Sequence, residues 1–413
     1  MADVTYDPFN PEILADPFPH YEQLRDENPV HYFDQYEMYT VARYDDATSI
    51  VDNPHVFSND GYGPMFDFTY HDPDIEPTGV GRHLFRADAK GRMLLFSDPP
   101  LHKPLRRLAV TGFSPRAVHE YVPRVELLAQ QLVDELLLRA RDGEPVDIAK
   151  DYALKLPFLT ICQLLGTPEA ANEQFRKWVD VCTFRLGQPR DAEIAEASSG
   201  LCDFFDEIVE KRRVSPGDDI ISRLVSTAVT DAPPMTTPEV VAFAVLLFLA
   251  GGDTAAGLIS HWFQLALISH PHVHDLVRSD RTMIPPSIEE LLRWDNSNQA
   301  VNRLTLEDTE IAGVPIPAGS MVAVLLASAN RDPRHWGADA DVYRIERNPT
   351  DSLAFGKGSH LCLGAYLARM EARVAIDAFL NQVNSATVVG PLSRQDSIFV
   401  RSCSSMPVEL VPA

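Results

Sequence analysis

Cys362 stands in the stretch FGKGSHLCLG, two residues after His360 and just before the helical run AYLARMEARVAIDAFL. A cysteine at a helix N-terminus meets unpaired N–H groups and partial positive charge, which favour the thiolate. Glycine neighbours let the backbone approach a flat ligand and leave amides free to point at the sulfur. Phe355 is placed to pack beside that sulfur and keep it dry. A dry thiolate with N–H donors is an arrangement that tunes a metal–sulfur bond. The bland alternative is a buried cysteine in a glycine-rich turn; a nucleophilic role lacks an adjacent base and orienting group.

Three further groups are chemically suggestive. Asp253 and Thr254 adjoin in AGGDTAAG, Ala250 to Gly257, where an acid beside an alcohol is suited to passing protons. The alternative is a helix kink with a solvated aspartate, against which the apolar flanks argue. Glu290 and Arg293 in EELLRW are one helical turn apart and share a face; alone they read as a surface ion pair. His102 and Arg106 in DPPLHKPLRR share a helical face too, and Arg303 in VNRL falls on a predicted strand. Each of these alone reads as a surface charge.

The elements that must position these groups follow from pattern. MTTPEV supplies a threonine N-cap, a first-turn proline and an early glutamate. Helical composition then continues to Pro271, about 30 residues or about 45 Å. That helix is apolar nearly all round, so it is expected to run through the centre of the protein. A second helix, SIEELLRW, follows the breaker Pro285-Pro286. MYTVARY (Met38 to Tyr44) reads as a strand, and AVNRLTL with IAGVPIPAGSMVAVLLASAN as strands and turns. Ser58 to Asp98 is irregular, and a loop of that length is usually functional or mobile. The expectation is a mainly α chain with a minor β portion near residues 30–45 and 300–330, forming a single domain over 1–413.

The 413 residues carry a formal charge of −23, which argues against binding nucleic acid or an anionic membrane through general electrostatics. The longest apolar run, Val240 to Ala250, falls short of the roughly 20 residues of a bilayer span. Five scattered cysteines, without a CxxC pair, fit a reducing, cytoplasmic setting and neither a disulfide framework nor a structural zinc site.

The stretch FGKGSHLCLGAYLAR resembles the ligand loop of the cytochrome P-450 family of heme-thiolate monooxygenases. It matches Phe-x-x-Gly-x-x-x-Cys-x-Gly at Phe355, Gly358, Cys362 and Gly364, with Ala365, Ala368 and Arg369 continuing into the helix. Ala250, Gly251, Asp253 and Thr254 resemble the family's Ala/Gly-Gly-x-Asp/Glu-Thr signature, and Glu290 and Arg293 its Glu-x-x-Arg. The resemblance runs from DPFPHYEQLR to SIFVRSCSSMPVEL. It implies a single-domain P-450 fold, with heme b between the long central helix and the cysteine loop. Cys362 would be the axial iron ligand, and Asp253 with Thr254 would carry protons to dioxygen. His102, Arg106, Arg303 and His360 would meet the propionates, and Glu290, Arg293 and Arg347 would form a buried structural triad. Tyr343-Arg344 stand where the family usually has Phe-Asp, which bears on the local packing.

By the same resemblance the chain would oxygenate an organic substrate as a soluble bacterial-type monomer. No segment looks like a flavin, nicotinamide or iron–sulfur module, so electrons would come from a separate ferredoxin and ferredoxin reductase. Lys357, Arg369 and Arg373, with Lys103 and Arg107, are the candidate docking patch or simply solvated charges. The pocket would be lined from Tyr62 to Arg86, near Cys182-Thr183-Phe184, by Phe243, Leu246, Leu247 and Ala250, and near Val301 and Phe399-Val400. Asn296, Asn298 and Gln299 would meet a polar handle on a mid-sized, mostly apolar substrate, aromatic or terpenoid-like, or else face water. Hydroxylation and oxidative dealkylation are the expected outcomes. Two rivals stand beside this reading: a peroxide-driven heme-thiolate enzyme, and a heme-thiolate sensor or ligand-binding protein that does not turn over.

Overall fold

Short β-branched and aromatic runs from the two ends of the chain pair with one another, and long apolar-striped segments between them build the helical body. The computed structural model describes residues 6–7, 10–34, 37–59, 94–168, 172–184, 192–228, 233–395 and 400–413. Strands β1 (Val30–Phe33), β2 (Met38–Val41), β3 (Phe57–Ser58), β4 (Val301–Thr305) and β5 (Met321–Val324) form one sheet in the order β1-β2-β5-β4-β3. β2 runs parallel to β5 with Met38 opposite Met321; the other neighbours are antiparallel, with Arg303 opposite Val322.

The strand expected over Met38 to Tyr44 ends at Val41. Tyr44 instead opens a helix to Val51, and its N–H donates to Asp332 Oδ2 at 3.0 Å. A cap supplied from 288 residues away leaves no mark on the local pattern. A three-stranded sheet of Val146–Asp147, Pro407–Pro412 and Val383–Val388 was not anticipated either.

The helices that matter for the site are α1 (His102–Phe113), α2 (Pro115–Arg141), α3 (Lys155–Leu165), α4 (Ala192–Val214), α5 (Thr237–Gln264), α6 (Ile284–Trp294) and α7 (Ala365–Gln382). A capping box opens α5, with the Thr236 N–H donating to Glu239 Oε2 at 2.8 Å. Its far end widens into a π turn over Leu265–Ser269, and Pro271 begins the next helix. Pro285 and Pro286 lie within the first turn of α6 rather than before it, because first-turn N–H groups have no intrahelical acceptor and proline lacks none that the helix needs.

One continuous core runs from Leu94 to Val408, with α5 through its middle. Trp262 on α5 is fully buried and donates its indole N–H to Ser287 Oγ of α6 at 3.0 Å. Phe263 meets Phe379 of α7 edge-on at 4.8 Å. Each buried ring of this kind contributes about 2 kcal/mol or more. Taken with its π turn, α5 is long and apolar enough to cross a membrane, but 71% of its most apolar window is buried inside the protein, as suits a core helix.

Near its C-terminal end α5 carries a buried electrostatic cluster. His261 Nδ1 lies 3.0 Å from the Asp295 carbonyl, which only accepts, so Nδ1 holds the proton. Arg401 Nε donates to Asp295 Oδ1 at 2.9 Å. Burial holds the His261 pKa down to about 4; Asp295 opposes that shift, and Arg401 and Arg394 add to it. A histidine depressed when folded binds its proton more readily unfolded, so stability falls as pH drops from about 6.5 toward 4. A His261→Gln variant should flatten that acid slope by an amount on the order of 3 kcal/mol, read by urea unfolding at pH 7 and pH 4.5. An unchanged slope would show that His261 is not the titrating group.

Candidate active site

Between Glu239 and Phe263 the described side chains of α5 are buried except at Leu246, Leu247, Ala250, Gly251 and Thr254. These positions recur at the helical period, so they form one strip in the middle of a core helix. The strip is apolar until Thr254, whose hydroxyl donates to the Ala250 carbonyl at 2.6 Å. The neighbouring Asp253 is buried, 2% exposed. A methyl at Gly251 would press on Ile161 Cδ1 of α3 at 2.9 Å, so glycine here lets α3 pack close.

Cys362 is accessible, while Cys162, Cys202 and Cys403 are buried. Its N–H donates to the Phe355 carbonyl at 2.8 Å, folding the loop back on itself just before α7 begins at Ala365. Gly356 and Gly358 have φ of 68° and 67°, a left-handed backbone that glycine tolerates. Gly358 also lies where a methyl would meet Asp52 Oδ1 at 2.7 Å. These two glycines therefore serve the turn and its packing, and Gly364 is the one that offers its N–H to the sulfur. The helix terminus was expected to lower the thiol pKa. Desolvation by the packed atoms around the sulfur instead pushes it up, although the side chain keeps an accessible face, with Gly364 N–H, Arg106 and Arg369 pulling the other way. The guanidinium of Arg369 lies 4.5 Å from the Phe355 ring centroid.

Four donors gather beside this loop. The rings of His102 and His360 lie 4.1 Å apart, and the Nε2 atom of each is buried without a hydrogen-bond partner among the described residues. Arg106 Nη2 donates to the Leu361 carbonyl at 2.6 Å, and Arg303 Nη1 to the Asn302 carbonyl at 2.8 Å. The pKa of His360 is pressed down to about 3 by burial and then by His102, Arg303 and Arg106. Cations that repel one another around orphaned imidazole nitrogens form a site for an anion.

Behind the loop, Glu290 and Arg293 are fully buried and paired through two bonds of 2.9 and 2.7 Å. Arg347 Nε donates to Glu290 Oε1 at 3.1 Å. Arg293 also donates to the carbonyls of Asn330, Ala340 and Val342 at 2.8, 2.7 and 3.2 Å. The departure at Tyr343-Arg344 is absorbed: the Tyr343 hydroxyl donates to the Ser287 carbonyl at 3.1 Å, and the Arg344 N–H to Glu290 Oε1 at 3.0 Å.

The profile described as Cytochrome P450 matches residues 69–388 of this chain. The chain belongs to the cytochrome P450 family. Among curated relatives, it is 34% identical over 414 residues to the vitamin D(3) 25-hydroxylase of Pseudonocardia autotrophica, covering 98% of this chain and 97% of that protein. Among solved structures, cytochrome P450 CYP109Q5 from Chondromyces apiculatus superposes with a TM-score of 0.86 at 30% identity, over 99% of this chain and 98% of that one. CYP109E1 from Bacillus megaterium in complex with testosterone gives 0.80 at 28% identity, over 95% and 99%. The fold is thus the P450 fold, mainly α with minor sheet content in a single domain, and the chain is a P450 monooxygenase.

Cytochromes P450 use heme b with a cysteine thiolate ligand. The residues present fit that group. The orphaned Nε2 atoms of His102 and His360, with Arg106 and Arg303, suit two carboxylates; the accessible Cys362 and the strip on α5 suit a flat apolar body.

The P450 pocket positions divide. Leu246 and Leu247 lie on the accessible strip. Phe243 does not: it is 5% exposed and packs edge-on against Phe113 at 6.2 Å, as core. Val301 is half-buried and packs on the sheet cluster, and Val400 is buried in a bridge with Asn298. The Gln299 amide donates to the Asn296 carbonyl and its oxygen accepts from the Tyr21 hydroxyl at 3.3 Å, so it serves N-terminal packing. Asn296 donates to the Asn298 carbonyl at 2.5 Å within its own turn. The Phe184 side chain, Phe399 and Tyr62 to Arg86 lie outside the described residues.

Sequence reasoning missed Ser297, whose hydroxyl donates to the Thr254 carbonyl at 2.9 Å. A serine 43 positions away gives no local signal of that contact.

Proposed function

We propose that this P450 hydroxylates a mid-sized, mostly apolar substrate of about steroid bulk carrying one polar group, with electrons from a separate ferredoxin and ferredoxin reductase. Cys362 supplies the thiolate ligand, and His102, Arg106, Arg303 and His360 bind the propionates. When bound, the heme supplies activation of dioxygen and insertion of one oxygen atom, the other leaving as water. The chain's own part is to hold substrate, exclude water and deliver protons. Thr254 gives its hydroxyl hydrogen to Ala250, which leaves oxygen lone pairs open to a partner in the cavity. Asp253, buried beside it, is the acid that would supply the protons, which the Thr254 oxygen accepts and passes on.

The observation that carries the substrate class is the α5 strip, apolar over two turns and ending at one hydroxyl. A relative is described as a vitamin D(3) hydroxylase, and CYP109E1 was solved with testosterone and with corticosterone. A reducing cytoplasm is the compartment that suits four free cysteines among the described residues. The candidate docking cations are partly engaged: Lys357 with Asp52 at 3.4 Å, Arg369 with Glu289 at 2.5 Å, and Arg373 with Glu126 at 3.7 Å. The Lys357 and Arg373 pairs are exposed and worth about 1 kcal/mol or less, so an acidic ferredoxin can displace them, while the bidentate Arg369–Glu289 pair is held more firmly.

Titration of the ferric protein with testosterone, corticosterone and vitamin D3 tests the reading. At least one should shift the Soret band toward high spin and yield a hydroxylated product with ferredoxin, reductase and nicotinamide. Silence from all three, with a shift from a small aromatic or a fatty acid, would overturn the class. Product from peroxide alone at the reductase-supported rate would overturn the electron route.

A further inference from the structure

Thr254 is held at both ends. Its hydroxyl donates back one turn to Ala250, and its carbonyl accepts from Ser297 Oγ at 2.9 Å. Ser297 is itself 6% exposed and sits in a turn pressed against α5. A methyl on Gly257 would lie 2.7 Å from Ser297 Cβ and 2.9 Å from the Arg401 carbonyl, closer than real Cβ atoms approach. The turn is fixed from behind as well. The Arg401 N–H donates to the Ser297 carbonyl at 2.8 Å, and Asp295 is bonded to His261 and Arg401. Further along α5, Ser260 Oγ accepts from the Cys403 N–H at 3.2 Å, so the 400–403 segment follows the helix turn by turn.

We propose that Ser297 is a positioning residue for Thr254, its hydroxyl anchoring the Thr254 carbonyl so that the threonine hydroxyl keeps its place on the strip that would face the heme. This rests on the reading of Thr254 as the group that hands over protons. Ser297 touches no reacting atom. It acts through a rigid turn; two residues before Thr254, a methyl at Gly252 would meet no described atom within 4 Å. Without the Ser297 bond, the Ala250–Thr254 turn can relax into that space. The hydroxyl then moves by a fraction of an ångström, enough to matter where transfer rates depend steeply on geometry. Proton delivery would then fall out of step with reduction, and dioxygen would take up the two electrons and two protons as hydrogen peroxide, leaving the substrate untouched.

The test uses the heme-loaded enzyme with ferredoxin, reductase and whichever of the three steroid-type probes gives the spin shift. Ser297→Ala should keep the reduced carbon-monoxide band and the spin shift, while product per nicotinamide oxidised falls about threefold to tenfold and peroxide rises to match. Ser297→Cys, nearly isosteric with a weak donor, should behave alike and covers the case in which alanine fails to fold. In the cofactor-free chain, amide exchange over 254–258 should quicken in either variant. The Thr254→Ala/Ser297→Ala double variant should match Thr254→Ala alone, because both remove one function. Coupling at the wild-type level in Ser297→Ala and Ser297→Cys, or additive losses in the double variant, would overturn the proposal. Coupling that survives Thr254→Ala would instead overturn the reading beneath it.

Discussion

Replacing Cys362 by serine should give a folded protein that has lost the red-shifted Soret band of its reduced carbon-monoxide form, with turnover lower by about a thousandfold or more. The fold should survive because the bond that shapes the loop is made by the backbone, Cys362 N–H to the Phe355 carbonyl at 2.8 Å, and serine keeps it. The left-handed turns at Gly356 and Gly358 are likewise untouched. What is lost is the soft, electron-rich sulfur that would hold the heme iron as a thiolate ligand and favour dioxygen activation there. No described cysteine can stand in, since Cys162, Cys202 and Cys403 are buried. Cys362→His should bind heme with a band at the ordinary histidine-like position, which separates loss of the ligand from loss of the site. A serine variant that still shows the red-shifted band would mean that another sulfur reaches the iron, and the assignment of Cys362 would fall.

Arg293→Ala should destabilise the protein by about 3–5 kcal/mol, a large share of the 5–15 kcal/mol that a folded domain commands. Glu290 would keep Arg347 at 3.1 Å and the Arg344 N–H at 3.0 Å but lose its bidentate partner in a fully buried site. The carbonyls of Asn330, Ala340 and Val342 would lose their donor together. Thermal midpoints should fall by about 4–6 °C, and heme per chain should drop with them. Arg293→Lys should recover little, because one ammonium offers three donors where the guanidinium makes five bonds in fixed directions. Lysine within about 1 kcal/mol of wild type, by urea unfolding, would show that charge alone is what the site requires.

The cysteine loop and the Glu290–Arg293 pair were legible because their residues are close in sequence and their chemistry forces a spacing, whereas Arg347 lies 57 positions from Glu290 and was placed only by the family resemblance. Cys362, its glycines and Phe355 lie within ten positions of one another, and Glu290 and Arg293 within one turn. The central helix was legible from its cap and its unbroken apolar content. Less of the pocket was readable. Phe243 and Gln299 have the right composition for a wall, yet Phe243 faces Phe113 and Gln299 faces Tyr21, a residue 278 positions away. Side-chain direction within a packed body is decided by partners that no local pattern names. The same holds for the end of β2, where Asp332 caps Tyr44, and for the thiol of Cys362, where desolvation by neighbouring atoms outweighs the helix terminus.

Mechanically, α5 is a beam clamped near both ends. The capping box fixes its start at Thr236, and Trp262 and His261 bolt its other end to Ser287 and Asp295. Such a beam does not slide when a guest presses on it. If it yields, it would bow where side-chain bulk is least, at Gly251 on the strip and Gly252 beside it. Guests of different girth would then be met by curvature of one helical span while its two ends keep their address.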